Sequence, residues 1–353
     1  MIQSAEQVTP EWLTTTLCEQ GILPCGKVTE VTPGSPRSTF ASRVWHLDVS
    51  YSPEAPPGAP KKLFLKASNP ALAPGEFDLH SLHQEILFYR QIAPAMPDPP
   101  AVPCYHAGYD PQTGSSHLLL QDVSETHAAC PDPSCETNCQ QAVETLAGFH
   151  SFWWDHPRLG KDVGSFPTRQ EREQEWSEAE RSVAGFMTAL GDRLRRSWRE
   201  TYQSVLAVLP GLYQRHATGR NLTLAHGDAH LGNYLCPRRP GKGRTYLVDW
   251  QFWHPTIGGT DLAFLMATEW EPELRRRLEE PLLQRYLARL AALGVNDYSW
   301  TECWDDYRLS VILVSIFIPV WRWSIFKWEL DLAALERSME AFEDLKCADL
   351  LRK

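Results

Sequence analysis

Residues 224–265 read LAHGDAHLGNYLCPRRPGKGRTYLVDWQFWHPTIGGTDLAFL, and this stretch contains two short polar motifs beside apolar, strand-forming residues. The first motif is HGDAHLGN, at residues 226–233, and the second is YLVDWQ, at residues 246–251. A further carboxylate, Asp261, opens the apolar run that ends the stretch. The stretch therefore places carboxylates and an amide at the ends of short strands, where tight loops expose them.

Asp228, Asn233 and Asp249 are the residue types that phosphoryl transfer to a hydroxyl requires. In that reaction one Asp orients the hydroxyl and accepts its proton, while Asn and Asp oxygens hold the Mg²⁺ that neutralises the phosphates. We therefore predict Asp228 as the base and Asn233 and Asp249 as metal ligands. Residues 238–244, RRPGKGR, predict a turn between two short strands that brings Asp249 back beside Asn233.

The same motif also permits a different interpretation, in which His226, Asp228 and His230 bind Zn²⁺ in a hydrolase. On a strand, this alternating spacing would place all three side chains on one face. Sequence alone leaves this alternative open, although no comparable set of distant His, Asp or Cys residues accompanies it.

The motifs HGDxHxxN, LVDWQ and G-x-DLA resemble those of the aminoglycoside phosphotransferase and choline kinase superfamily, and the DWQ form resembles its ecdysteroid-kinase-like branch most. The resemblance implies a small-molecule kinase that uses ATP and Mg²⁺. It also implies an α+β, bilobal, protein-kinase-like fold. Residues 1–123 would form a β-rich ATP-binding lobe with a five-stranded sheet and a helix, and residues 124–353 a mainly helical lobe with the catalytic loop and acceptor site.

The N-terminal third has the pattern of such a lobe, since strand-like segments at residues 27–32, 43–51, 62–67, 102–109 and 116–123 flank a helical segment at residues 81–92. The resemblance implies that the turn-rich segment 33–42 covers the ATP phosphates, with Ser38 as a hydroxyl donor. Lys66 would bridge the α- and β-phosphates and pair with Glu85, for which Glu76 is a competing partner. Gln121 and Val123 would lie at the hinge strand that contacts adenine.

Supporting residues are expected around the catalytic loop. We predict that His226 ties the loop to its own backbone and that His230 contacts either phosphate or the loop. Asp261 is expected to brace the loop through backbone N–H groups and to cap the helix that follows.

The acceptor is less well defined by the sequence. Fourteen tryptophans are present, and aromatic walls suit a quaternary ammonium or a flat alcohol, although core packing explains most of them equally well. Trp253, Trp270, Trp304 and Asp305 are the candidate acceptor contacts. The predicted substrate is a hydroxylated small molecule, such as an antibiotic or another natural product. Choline, ethanolamine and sugar kinases are the alternatives, and a non-catalytic nucleotide-binding scaffold is the alternative of another class.

Bulk properties limit the partners. The net charge of −10 argues against nucleic acid and anionic membranes. We expect no secretory signal and no membrane span, because the longest apolar run, at residues 309–320, is too short to cross a bilayer. Nine scattered cysteines predict reduced thiols and a cytoplasmic protein. His127, Cys130, Cys135 and Cys139 include zinc-ligand types, but their spacing fits no common zinc motif.

Overall fold

The computed structural model describes residues 1–39, 42–69, 79–130, 132–239, 243–327 and 329–352. Contacts divide the chain into two units. The first comprises Met1–Ala128 and Pro237–Phe252, and the second comprises Ala129–Cys236 and Trp253–Lys353. The predicted assignment of residues 1–123 to an ATP-binding lobe and residues 124–353 to an acceptor lobe stays a prediction.

An antiparallel sheet dominates the first unit. Its strands are β1 (Val28–Pro33), β2 (Arg37–Ser38), β3 (Ser42–Tyr51), β4 (Lys62–Ser68), β5 (Cys104–Tyr109) and β6 (Ser116–Gln121). Their order is β1-β3-β4-β6-β5, and β2 pairs with β3. The segment expected to be only a loop thus contains a two-residue strand. The competing partner predicted for Lys66, Glu76, lies outside the described residues.

Helices α1 (Pro10–Glu19) and α2 (Leu79–Leu87) accompany this sheet. Thr9 begins α1 by accepting a 3.2 Å hydrogen bond from the Trp12 N–H, and Pro10 occupies the first helical position, where its missing N–H costs nothing. Alternation along β4 buries Leu63 and Leu65 in the core. Because successive strand residues point to opposite faces, Lys66 projects from the other face of the sheet.

The second unit is mainly helical. Its helices are α3 (Glu136–Trp153), α4 (Arg169–Leu190), α5 (Arg196–Leu212), α6 (Gln214–Ala217), α7 (Gly259–Ala263), α8 (Pro272–Ala292), α9 (Trp300–Ser310), α10 (Ile318–Ser324) and α11 (Leu332–Asp344). Thr168 and Ser299 cap α4 and α9, each in a reciprocal pair with a glutamate three residues later. A β-rich N-terminal part and a helical C-terminal part confirm the predicted α+β class.

Short strands lie between and beside these helices: β7 (His127–Ala129), β8 (Thr223–Ala225), β9 (Tyr234–Pro237), β10 (Tyr246–Leu247) and β11 (His254–Thr256). Strand β8 pairs antiparallel with β11, with Ala225 opposite His254. All three residues of β8 are buried, and the chain leaves this strand directly into the HGD motif. The pair therefore anchors the start of the predicted catalytic loop in the core of the second unit.

One pair of cysteines lies close together. The Cys130 and Cys236 side chains, both in the second unit, are in contact, with their Cα atoms 6.1 Å apart. Distant segments of the chain bring these two side chains together, and the expectation of reduced thiols stays a prediction. Within the described ranges, no group of three or more His, Cys, Asp or Glu residues is arranged to hold a metal ion.

None of the described helices has both the length and the apolar character needed to cross a bilayer.

Arg275 of α8 is a fully buried cation in the second unit. Its side chain is 0% exposed, and Nη1 donates to Glu279 Oε1 and Oε2 at 2.9 and 2.7 Å. Nη2 donates to Asp344 of α11. Desolvation raises the pKa of Glu279, and the guanidinium opposes that rise. The buried Arg275 guanidinium therefore joins α8 to α11. The energetic cost of removing it from water is offset only while Glu279 and Asp344 remain as its partners.

Replacing Arg275 by methionine should lower the free energy of unfolding by about 3–5 kcal/mol, because Glu279 would be left buried without its cation. Arg285→Met is the matched control on the same helix, since its pair with Glu144 is 44% and 41% exposed. This control should cost less than about 1 kcal/mol. Urea-induced unfolding followed by circular dichroism measures both values, and equal losses would contradict the assignment.

Candidate active site

Lys66, Glu85 and Asp249 form an ionic cluster within the first unit. Lys66 Nζ donates to Glu85 at 2.9 Å (Oε1) and 2.8 Å (Oε2), and it also donates to Asp249 Oδ1. The Lys66 and Glu85 side chains are 12% and 6% exposed, whereas the Asp249 side chain is 48% exposed. Burial alone would lower the pKa of Lys66, but the Asp249 and Glu85 carboxylates raise it above its ordinary value. Lys66 is therefore a permanent cation, and the more exposed side of the cluster is the Asp249 carboxylate.

The DWQ motif fixes Asp249 in an unusual backbone conformation. Its φ is 63°, in the left-handed region that non-glycine residues rarely adopt and that clusters at functional sites. Trp250 follows, fully buried, with its ring stacked on Phe88 at 3.8 Å and its Nε1 donating to the Leu247 carbonyl at 3.0 Å. Gln251 hydrogen-bonds to Glu85 through its side chain. Each residue of the motif is thus held by a different contact of the first unit.

Gln251 is a residue that sequence reasoning missed. Its position in the motif was part of the resemblance, but no partner was assigned to it. The available signal was its place two residues from Asp249 beside a strand, which makes a contact with the same ionic cluster reasonable.

The predicted adenine hinge lies at the end of β6. The Gln121 N–H donates to the Pro103 carbonyl at 2.9 Å, and the Val123 carbonyl accepts from the Thr126 and His127 N–H groups at 3.0 and 2.8 Å. In the part of the chain that is described, the Val123 N–H and the Asp122 carbonyl have no such backbone partner. An adenine edge would therefore use those two groups. Their role and that of Ser38, which is exposed in β2, stay predictions.

Asp228 and Asn233 form the core of the catalytic loop in the second unit. Asn233 Nδ2 donates to the Asp228 carbonyl at 2.8 Å and to the Asp228 Oδ2 at 3.0 Å. Asn233 is 5% exposed and the Asp228 side chain is 27% exposed. These two hydrogen bonds hold the Asp228 carboxylate in place. They also use the amide nitrogen of Asn233, so the amide oxygen is the atom that can accept from or coordinate a ligand.

The two loop histidines bond to the loop itself. His226 is fully buried, and its Nδ1 accepts from the Asp228 N–H at 3.3 Å, as expected for a residue that ties down the loop. His230 Nδ1 accepts from the Gly232 N–H at 3.1 Å, and its Nε2 lies 3.7 Å from Asp228 Oδ2. The Nε2 of His230 is thus the loop imidazole nitrogen beside the predicted base.

Asp261 holds the start of the catalytic loop through two hydrogen bonds. Its Oδ2 accepts from the His226 N–H at 2.7 Å and its Oδ1 from the Gly227 N–H at 2.8 Å. Gly227 has a φ of +83°, a turn conformation that suits glycine and directs its N–H towards this carboxylate. The expectation that Asp261 also caps the next helix is wrong, because Asp261 lies inside α7 and the residue at the cap is Gly258.

His150 and Tyr286 extend this network and were missed from the sequence. His150 Nε2 bonds Asp261 Oδ2 at 3.0 Å, and His150 Nδ1 bonds the Tyr286 hydroxyl at 2.8 Å. Burial by itself would raise the pKa of Asp261, but the His150 hydrogen bond, nearby His150 and His226, and the His226 N–H lower it below the ordinary value. The available signal was a polar residue on the buried stripe of α3, four residues after Leu146.

The candidate acceptor contacts differ in exposure. Trp270 is 1% exposed and Trp253 is 7% exposed, so both rings pack in the interior. Trp304 lies 5.5 Å from Trp300 between ring centroids, and Asp305 pairs with Arg308 at 3.1 Å. None of these contacts identifies an acceptor, and the four roles stay predictions.

The residue types fit a magnesium ion. Asn233 keeps its amide oxygen as an acceptor, Asp249 carries a carboxylate, and oxygen ligands of this kind are those that Mg²⁺ prefers. Asn233 and Asp249 belong to different units, so their sharing of one cation stays a prediction. In the zinc alternative, His226 and His230 would have to bind the metal through Nε2, because the Nδ1 of each already accepts a hydrogen bond from a loop N–H group.

The chain is similar to known proteins in sequence and in fold. The sequence profile of the phosphotransferase enzyme family matches residues 61–301, more than half of the chain. A search of curated protein sequences found no significant match.

Solved structures similar to the chain include choline kinases and aminoglycoside phosphotransferases. The choline kinase of Cryptosporidium parvum Iowa II superposes with a TM-score of 0.53 and 12% identity, covering 91% of this chain and 90% of that one. The GDP complex of a point mutant of an aminoglycoside 2'-phosphotransferase of type IIIa superposes with a TM-score of 0.52 and 12% identity. The superposition covers 97% of this chain and 99% of that one. The choline kinase LicA of Streptococcus pneumoniae superposes with a TM-score of 0.50 and 14% identity, covering 95% of this chain and 98% of that one.

These structures support the protein-kinase-like fold, and the profile match establishes the family. The match also confirms the resemblance seen in the HGDxHxxN, LVDWQ and G-x-DLA motifs. The chain belongs to the phosphotransferase enzyme family, in the aminoglycoside phosphotransferase and choline kinase superfamily, and it is a small-molecule kinase.

Proposed function

We propose that the protein transfers the γ-phosphoryl group of ATP to a hydroxyl group of a small molecule. The observation that carries the proposal is the Asp228 carboxylate, which Asn233 holds through two hydrogen bonds on a loop braced by Asp261. A base fixed in this way meets the positioning requirement of phosphoryl transfer, where the protein contributes mostly geometry and electrostatics. We infer that the acceptor is a hydroxylated antibiotic or another natural product.

Each polar residue has a proposed task. Asp228 orients the acceptor hydroxyl and receives its proton as the oxygen attacks. Lys66 presents a fixed positive charge to the ATP phosphates, while Glu85 holds its ammonium. Mg²⁺, when bound, supplies charge neutralisation at the phosphates, and Asn233 and Asp249 are the residues that would hold it. The Val123 N–H and the Asp122 carbonyl would receive the adenine edge, and Ser38 a phosphate oxygen.

Lys66 must let Asp249 change partners for this assignment to hold. In the structure the Lys66 ammonium donates to both Asp249 and Glu85. An ammonium has three donors, so phosphate oxygens can replace the Asp249 contact while the Glu85 contact remains. The Asp249 carboxylate would exchange its Lys66 contact for a cation, and the two roles proposed for this cluster are compatible.

Nucleotide binding and location complete the proposal. ATP as the donor is supported by family membership and by the ionic cluster around Lys66, and one solved structure of LicA is a complex with AMP. That structure has a TM-score of 0.51 to this chain. We place the reaction in the cytoplasm, where ATP is available, and we retain the ecdysteroid-kinase-like branch as the expected subgroup.

Asp228→Asn should lower kcat about 10²–10⁴-fold, since it removes the proton acceptor while keeping the side-chain shape. The measurement is mass spectrometry of hydroxylated compounds incubated with Mg·ATP, which reports a gain of about 80 Da for each phosphoryl group transferred. Asp162→Asn is the control, because that carboxylate is 61% exposed and pairs only with Arg158 among the described residues. Equal product yields from the wild type and Asp228→Asn would refute the assignment of the base.

The panel for this assay contains aminoglycosides, choline and ethanolamine, sugars, and other hydroxylated natural products. A product from choline or from a sugar would select the corresponding alternative. ATP binding in calorimetry with no product from any compound would favour a non-catalytic scaffold. Stoichiometric zinc in the purified protein would favour the hydrolase.

Lys66→Met should raise the KM for ATP and lower kcat/KM about 10²-fold, because it removes the buried cation that faces the phosphates. Lys62→Met is a matched control on the same face of β4, where the lysine is 43% exposed and pairs with Asp48 and Glu125. Steady-state kinetics with varied ATP distinguishes the two. Equal effects would show that Lys66 acts only as a strand-end charge.

Asp261→Asn should remove part of the acid sensitivity of the fold. The folded-state pKa of Asp261 lies below its ordinary value, so the ionised carboxylate stabilises the protein above about pH 4, and this contribution is lost as the pH falls further. The variant should be less stable at pH 7 by about 1–3 kcal/mol, because one N–H loses its acceptor, and the difference should shrink towards pH 3. Urea unfolding at several pH values measures this, with Asp162→Asn as the control.

A further inference from the structure

A groove between α4 and α10 lies outside every contact discussed above. It is open to solvent and has a volume of about 390 Å³, lined by Arg181, Ser182, Gly185, Trp323, Ser324 and Lys327, all in the second unit. Small-molecule sites usually occupy about 300–1,000 Å³, so the cavity has room for a ligand of one or two fused rings. We propose that this groove binds a small molecule that carries an anionic group on a flat ring system.

The charges at the cavity have one sign. Among the described residues that line it, two are cations and none is a carboxylate. Arg181 is exposed and forms no ion pair with another described residue, so its guanidinium is available to a ligand. The Lys327 ammonium donates to the Ser324 carbonyl, which tethers it at the cavity while leaving two of its three donors. In a chain with a net charge of −10, this is a local site for an anion.

Hydroxyl groups add neutral donors. Ser182 and Ser324 both line the cavity. Ser324 Oγ is buried and lacks a hydrogen-bond partner among the residues the structure describes, and such a group is costly to leave unsatisfied. A rotation about the Cα–Cβ bond of Ser324 would offer this hydroxyl to a ligand oxygen. A carboxylate or a phosphate accepts hydrogen bonds from hydroxyl, guanidinium and ammonium groups together.

A flat aromatic wall completes the site. The Trp323 ring lies against Gly185 so closely that a Cβ there would be 3.2 and 3.3 Å from the ring carbons. Phe186 supports the indole from the helix, with 5.9 Å between ring centroids. A residue larger than glycine at position 185 would require the indole to shift by a few tenths of an ångström. A planar ligand group can stack on this supported indole.

The combination defines the ligand class. The cations select an anion, and the indole selects a flat, apolar group next to it. Carboxylates and phosphates share this chemistry, so aromatic carboxylates and aromatic phosphate esters are the two sources. The site uses none of the residues assigned to phosphoryl transfer, so it stands or falls independently of the proposed function.

Ligand-observed NMR on the full chain tests the proposal with 2-naphthoate, 2-naphthyl phosphate and the neutral 2-naphthalenemethanol. We expect saturable binding of at least one anionic probe, weaker binding as the salt concentration rises, and little binding of the neutral compound. Exchanging both cations, in Arg181→Glu/Lys327→Glu, should weaken binding of the anionic probe about ten-fold or more, because attraction becomes repulsion.

Arg169→Glu is the matched control, since Arg169 begins the same helix, is 94% exposed and does not line the cavity. It should change the affinity by less than about two-fold, and circular dichroism should show that all variants are folded. Which anionic probe binds more tightly identifies the source. The proposal is overturned if neither anion binds at millimolar concentrations, if the neutral probe binds equally, or if the double variant binds as well as the wild type.

Discussion

The carboxylate of Asp261 is the group on which the catalytic loop depends. It is 0% exposed, and it accepts the backbone N–H groups of His226 and Gly227 that precede Asp228. Those N–H groups point inward because Gly227 takes a left-handed turn, and without an acceptor they would be buried and unsatisfied. The position of the proposed base is therefore set by a residue that takes no part in the chemistry itself.

The cost of burying this carboxylate is offset by further hydrogen bonds. Asp261 accepts a hydrogen bond from His150 of α3 at 3.0 Å, and the Tyr286 hydroxyl of α8 bonds the other imidazole nitrogen at 2.8 Å. Three helices of the second unit thus converge on one loop. Because a half-satisfied buried network costs more than an apolar core, removal of a single member affects the others. We therefore expect changes in loop geometry to affect the stability of the second unit.

Prediction from the sequence succeeded where the signal was local. The strand-like segments predicted at residues 43–51, 62–67 and 116–123 correspond to β3, β4 and β6, and Lys66 lies on β4 as expected. It failed where long-range packing decides. The apolar run at residues 309–320 extends from the end of α9 through a π-helical turn at Val311–Ser315 into α10, and Cys130 lies beside Cys236, 106 residues away in the chain. Neither follows from periodicity, which reports on neighbours in the chain alone.

The sequence by itself determined the residue types and their order: a lysine on a strand, a glutamate on a helix, and the Asp, Asn and Asp of two loop motifs. These features can be inferred from the spacing of residues in the sequence, because a motif of eight residues can adopt only a few loop conformations. The tertiary structure decided the partners: Gln251 on Glu85, Trp250 on Phe88, and His150 under Asp261. Such contacts form between residues far apart in the chain. Because protein interiors are close-packed, the geometry of each buried contact depends on the side chains packed around it.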